Sequence, residues 1–151
     1  MEMNNKSAED ADDPTTSPGG AERALVLILR AVGLMMCLAA FAVFLPRSWM
    51  AVAHEALGLG AFPQTPIVDY LARSASALYA LGGGLLWVLS MDPRRRAPVL
   101  TYSIWSGIVF GVVILGIDLH AGMPAHWTFS EGPFIIAFSL ALLYLKAQAK
   151  L

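Results

Sequence analysis

The sequence predicts an all-α fold: an integral membrane four-helix bundle with a short interfacial amphipathic helix after the first span. Three observations carry that reading. Hydrophobic residues make up 57% of the 151 and charged residues 14%, at a mean hydropathy of +0.62, whereas a soluble domain holds about 25% charged residues. The apolar residues gather into four runs, each near the length that crosses a hydrocarbon core of roughly 30 Å. Between the runs, proline, glycine and arginine mark tight turns and surface segments, as in "DPRRRAP" from Asp92 to Pro98.

The chain opens with "MEMNNKSAEDADDPTTSPGG", polar, acidic and rich in Pro, Gly, Ser and Thr. Such a segment buries too little apolar surface to offset its ordering entropy, so residues 1–22 are expected to form a disordered acidic tail. The first apolar run, Ala24 to Leu45, covers about 33 Å at the helical rise and is read as a span. A secretion signal would instead be preceded by a short basic region. "PRSWMAVAHEALGLGAFPQTP" follows, broken by Pro46, Pro63 and Pro66. Within it Trp49, Met50, Val52, Ala53, Ala56 and Leu57 recur at helical spacing against polar Arg47, His54 and Glu55. That pattern fits a helix lying on the membrane surface with Trp49 at headgroup level.

The second span is expected over residues 67–91. Asp69 and Arg73 stand one turn apart near its start and are placed to pair. Ala72, Ser76, Ala80 and Gly84 recur every fourth residue, a stripe that admits close approach of another helix. The third span, residues 98–117, carries Ser103, Gly107 and Gly111 at the same spacing, so the second and third spans are expected to pack as an antiparallel hairpin. For the fourth span, residues 131–148, Ser130 is the expected N-cap, with Glu131 and Pro133 in the first turn.

Four spans put both termini on the side of the Arg94-Arg95-Arg96 turn, together with Lys6, Arg23, Lys146 and Lys150. The positive-inside rule assigns that side to the cytoplasm. His54, Glu55, Asp69, Arg73, Asp118, His120, His126 and Glu131 then collect at the outer face. Arg30 lies in the first span close enough to its start to snorkel to cytoplasmic headgroups.

Several chemistries can be weighed against these residues. The net charge of -1 gives no basic footprint for nucleic acid. Cys37 is the only cysteine and lies in an apolar run, which excludes an intramolecular disulfide or a thiolate-rich metal site. His54, His120 and His126, with Glu131, are the candidate outer-face ligands or polar site, and imidazole with carboxylate suits zinc, iron or copper. Their spacing matches no established metal motif, so plain polar loop residues are the simpler account. Proton-coupled transport wants ionisable groups at mid-membrane, and the span centres carry no Asp, Glu, Lys or His. No G-x-S-x-G elbow is present. Arg73 and Asp118, with Asp69 nearby, are expected to form a structural ion pair clamping the outer end of the bundle.

The stretches "FLPRSWMAVAHEALGLG", "YLARSASALYALGGGLLW", "DPRRRAP" and "LGIDLHAGMP" give the chain a layout that resembles the small four-helix bacterial membrane proteins of the DoxX-like and DUF4345-like kind. The resemblance covers most of Ala24 to Leu145. It implies a bacterial inner-membrane location and, from some DoxX relatives, an accessory role beside quinone or thiosulfate oxidation. The expected role is therefore a structural or accessory membrane component without a cofactor, non-enzymatic, partnered by the lipid bilayer and by a homo-oligomer or a membrane complex. The alternative is a redox-associated subunit that binds quinone, haem or metal at the outer face.

Overall fold

A computed structural model describes residues 19–151, so residues 1–18 of the expected tail lie outside the described residues. The described residues are all-α: α1 (Gly20–Cys37), α2 (Ala39–Phe44), α3 (Arg47–Ala56), α4 (Pro66–Met91), α5 (Ala97–Ala121), α6 (Ala125–Ser130) and α7 (Gly132–Gln148). Four stretches are long and apolar enough to cross a membrane: Gly20–Phe44, Pro66–Met91, Ala97–Ala121 and Ala125–Gln148. The chain is a multi-pass membrane protein.

Local chemistry sets the ends of these helices. Gly20 to Glu22, assigned from sequence to the acidic tail, instead form the first turn of α1. Glu22 is buried there and receives three hydrogen bonds from Arg94, the shortest 2.7 Å. Those bonds and the Glu22 charge raise the Arg94 pKa above its already high range, so Arg94 stays charged. The first span stops at Phe44 because Leu45 precedes Pro46 and is held extended, at φ -62° and ψ 139°. Pro66 starts α4 where a missing N–H costs nothing. The third span continues past Ile117 to Ala121, ending at Gly122, whose φ of 68° supplies the left-handed turn a helix C-terminus favours.

The fourth span departs from expectation. Helix already begins at Ala125, and Ser130 is no N-cap, since its hydroxyl donates to the Trp127 carbonyl at 3.0 Å. The break falls at Glu131, φ -89° and ψ -76°, between α6 and α7. Pro133 explains it: the proline has no N–H for the carbonyl four residues back, and its ring crowds that carbonyl.

Packing also differs from the expected hairpin of the second and third spans. α1 packs along α4, α5 packs along α7, and α1 touches α7, whereas α4 and α5 make almost no contact. Glycines determine these choices. A Cβ on Gly83 would stand 2.5 Å from the Gly33 carbonyl oxygen and 2.7 Å from the Cys37 nitrogen. A Cβ on Gly132 would stand 2.8 Å from the Gly111 carbonyl oxygen. The contact glycine of the second span is thus Gly83; Gly84, in the expected stripe, has open space around its Cα. The stripe of the third span does serve close packing, but its Gly107 and Gly111 face Ser139 and Gly132 of the fourth.

All four spans meet in one buried cluster near the arginine turn, made of Leu25, Leu29, Leu86, Leu89, Leu100, Ile104 and Leu142. Arg30 donates to Ser90 at the same end, at 3.3 Å. On the opposite side α3 forms where the sequence places it and leaves Trp49 and Val52 exposed, as suits a helix resting on lipid. Glycine geometry makes a testable contrast. Gly83→Ala should lower stability in detergent by about 1–3 kcal/mol through overpacking, while Gly84→Ala should be near neutral. Thermal unfolding of the two purified variants checks the difference.

A lipid-facing groove closed by Glu131

Because α4 and α5 stay apart, a groove of about 710 Å³ runs between them, with α1 and α7 as its floor. Its walls are almost wholly apolar and aromatic, among them Met35, Met36, Tyr102, Phe110, Phe134 and Phe138. The groove starts at the leucine cluster, whose Leu86, Leu100 and Leu142 line it, and runs towards the end that carries the histidines, where Tyr79, Trp127 and Glu131 line it.

Glu131 is the charged side chain of this groove. Tyr79 donates its hydroxyl to Oε1 at 2.9 Å, and Trp127 donates its indole N–H to Oε2 at 2.7 Å. The helix break positions all three. Trp127 lies in α6, one turn before Glu131, so its ring reaches along the helix to the carboxylate. Glu131 also sits at the N-terminal end of α7, where the helix dipole favours an anion. Tyr79 comes from mid-α4 and ties the first helix pair to the second.

Neither donor carries a charge. Among the described residues, the ion pairs join Arg73 to Asp69 and Arg94 to Glu22, and Glu131 belongs to neither. A second carboxylate is close: Asp118, 5% exposed, stands within electrostatic reach of the Tyr79 hydroxyl. Its Oδ2 is buried without a hydrogen-bond partner among the described residues.

No family model matches this chain, and neither a curated protein nor a solved structure resembles it. The geometry of the site therefore stands on this chain alone.

The expected clamp of Arg73 and Asp118 is not formed. Arg73 turns along its own helix to Asp69 at 3.2 Å and gives its remaining donors to the carbonyls of Val43 and Leu45, the latter at 3.0 Å. The guanidinium thus caps the C-terminal end of the first span, where carbonyls lack helical partners and a cation opposes the dipole. The ion pair is Arg73 with Asp69, and Asp118 is buried apart from it.

The histidines are also separated. His54 places Nδ1 2.9 Å from the Gly60 carbonyl and stands edge-on to Phe62. His126 places Nε2 2.9 Å from the Leu57 carbonyl. A ring nitrogen facing a carbonyl carries the proton, so both histidines act as donors that fasten the segment between α3 and α4. Arg47 joins them, donating to the Pro63 carbonyl at 3.1 Å and covering Phe62. His120 is exposed in the last turn of α5. Among the described residues, no three His, Cys, Asp or Glu side chains converge as a metal site would require.

Tyr79 and Trp127 are the residues that sequence reasoning missed. Neither stands out in the sequence: Trp127 sits in a short loop between two apolar runs and Tyr79 inside one of them. The available signal is the four-residue interval between Trp127 and Glu131. Removing either donor should be felt across the bundle: Tyr79→Phe should cost roughly 1.5–3 kcal/mol, the range for a hydrogen bond to a charged group. In a double-mutant cycle with Glu131→Gln, unfolding in detergent should give a non-additive pair.

Proposed function

We propose that this protein is a non-enzymatic accessory component of a bacterial inner membrane that holds a lipid-soluble molecule in the groove. The observation that carries the reading is a cavity opening sideways between two spans, with a hydrogen-bonded carboxylate at one end. In the hydrocarbon region no water is at hand to fill such a space, so what enters comes from the bilayer. The volume suits a small-molecule ligand, since such sites typically measure about 300–1,000 Å³. Because Tyr79 and Trp127 already donate to Glu131, the carboxylate offers acceptor capacity to the occupant. The DoxX-like layout is consistent with an accessory role.

A redox-associated role is the second reading. Haem or metal would need converging ligands, and His54 and His126 instead hold carbonyls while His120 stands apart from them. A quinol suits the groove better, as its hydroxyl can donate to Glu131. Gly84 and Gly116, with open space around them, leave small-residue surface on the outside for a second copy of the chain or a larger complex.

Native mass spectrometry of protein released from its own membrane tests the groove. A bound lipid-soluble molecule should accompany the wild type and be lost from Ser106→Phe, which fills the wall; equal retention by both would overturn the reading. The proposed orientation places both termini and the arginine turn in the cytoplasm. A reporter fused after Leu151 should then be active only in its cytoplasmic form, and activity of a periplasmic reporter would reverse the topology.

A further inference from the structure

The charge balance of the groove narrows its occupant. Glu131 brings a carboxylate with two neutral donors, and Asp118 adds a second negative group within reach of Tyr79. The arginines nearest in topology are committed elsewhere: Arg73 to Asp69 and the end of the first span, Arg47 to the α3–α4 segment. The polar end of an apolar groove is therefore electronegative. In a medium of low dielectric such an imbalance acts far more strongly than in water.

Aromatic rings complete the environment. Tyr79, Tyr102, Trp127, Phe110 and Phe134 line the same space. The faces of such rings attract a cation, the more so where it is desolvated. An anion would meet the Glu131 carboxylate and a wall of aromatic rings, with Asp118 buried behind it. A neutral lipid would satisfy the apolar walls and leave the charge unanswered.

We propose that the groove takes a lipophilic cation: an apolar, bulky body bearing one quaternary or protonated ammonium, or an onium of similar size, that enters sideways from the bilayer and sets its charge against Glu131. This inference rests on the groove being a ligand site at all. Entry through lipid also fits a cationic amphiphile, which anionic leaflets concentrate at their surface.

Tetraphenylphosphonium and tetraphenylborate have nearly the same shape and opposite charge, which makes them suitable probes. Full-length protein in phosphatidylcholine nanodiscs, with empty nanodiscs subtracted, should bind the phosphonium at least tenfold more tightly than the borate. Glu131→Gln should weaken phosphonium binding tenfold or more, Glu131→Asp should keep the preference for the cation, and Ser106→Phe should abolish binding. Equal binding of the two ions by the wild type, a comparison that needs no variant to fold, overturns the inference. So does phosphonium binding unchanged by Glu131→Gln. If Ser106→Phe still removes binding in those cases, the groove remains a ligand site of another selectivity; if it removes none, the groove reading falls as well.

Discussion

Two backbone-to-backbone approaches, Gly33 against Gly83 and Gly111 against Gly132, determine the rest of the structure. In lipid there is no hydrophobic drive between helices, since the acyl chains are as apolar as leucine, so helices choose partners by how closely they fit. A side chain at these positions would overlap a carbonyl oxygen or amide nitrogen of the facing helix. Each glycine pair therefore commits its two spans to one another, first to second and third to fourth. With the spans paired in this way the second and third stay apart, and the groove is the space that remains between them.

Polar groups then fix the two ends differently. Near the arginine turn, leucines from every span fill the centre and Glu22 anchors Arg94. At the other end the centre is hollow, and the halves are joined by a hydrogen bond from Tyr79 to Glu131. Arg73 contributes at this end by closing off the exposed carbonyls of the first span. His54 and His126 hold down the segment that follows α3. The structure thus has a filled end and an open end, and Glu131, which has no ion-pair partner among the described residues, lies at the open one.

Much of this architecture was legible in the sequence, for identifiable reasons. Run length and hydropathy depend on the bilayer's thickness, a constraint every span must meet alone, so the four spans and the helix at Trp49 could be read residue by residue. The pairing of Asp69 with Arg73 followed from helical periodicity. Partner choice between spans did not, because a four-residue stripe of small side chains marks a face without naming what covers it; Gly83 and Gly84 are indistinguishable in "LGGGLL". The clamp of Arg73 and Asp118 failed for the same reason, having been inferred from equal depth in a hairpin that the helices do not form. Glu131 was visible as a polar residue. Its role was hidden because Tyr79 is distant in sequence and because Pro133 interrupts the span where it was expected to begin.

Both glycine pairs join spans that are neighbours along the chain. Each half can therefore complete its internal packing as a hairpin soon after leaving the translocation machinery, with little loop-closure entropy to overcome. What is left for the last step of assembly is the meeting of α1 with α7 and the bond from Tyr79 to Glu131, which connects residues 52 apart. The ligand groove is thus a seam between two prefabricated parts, built late in the chain's biogenesis and formed only once both parts are in the membrane together.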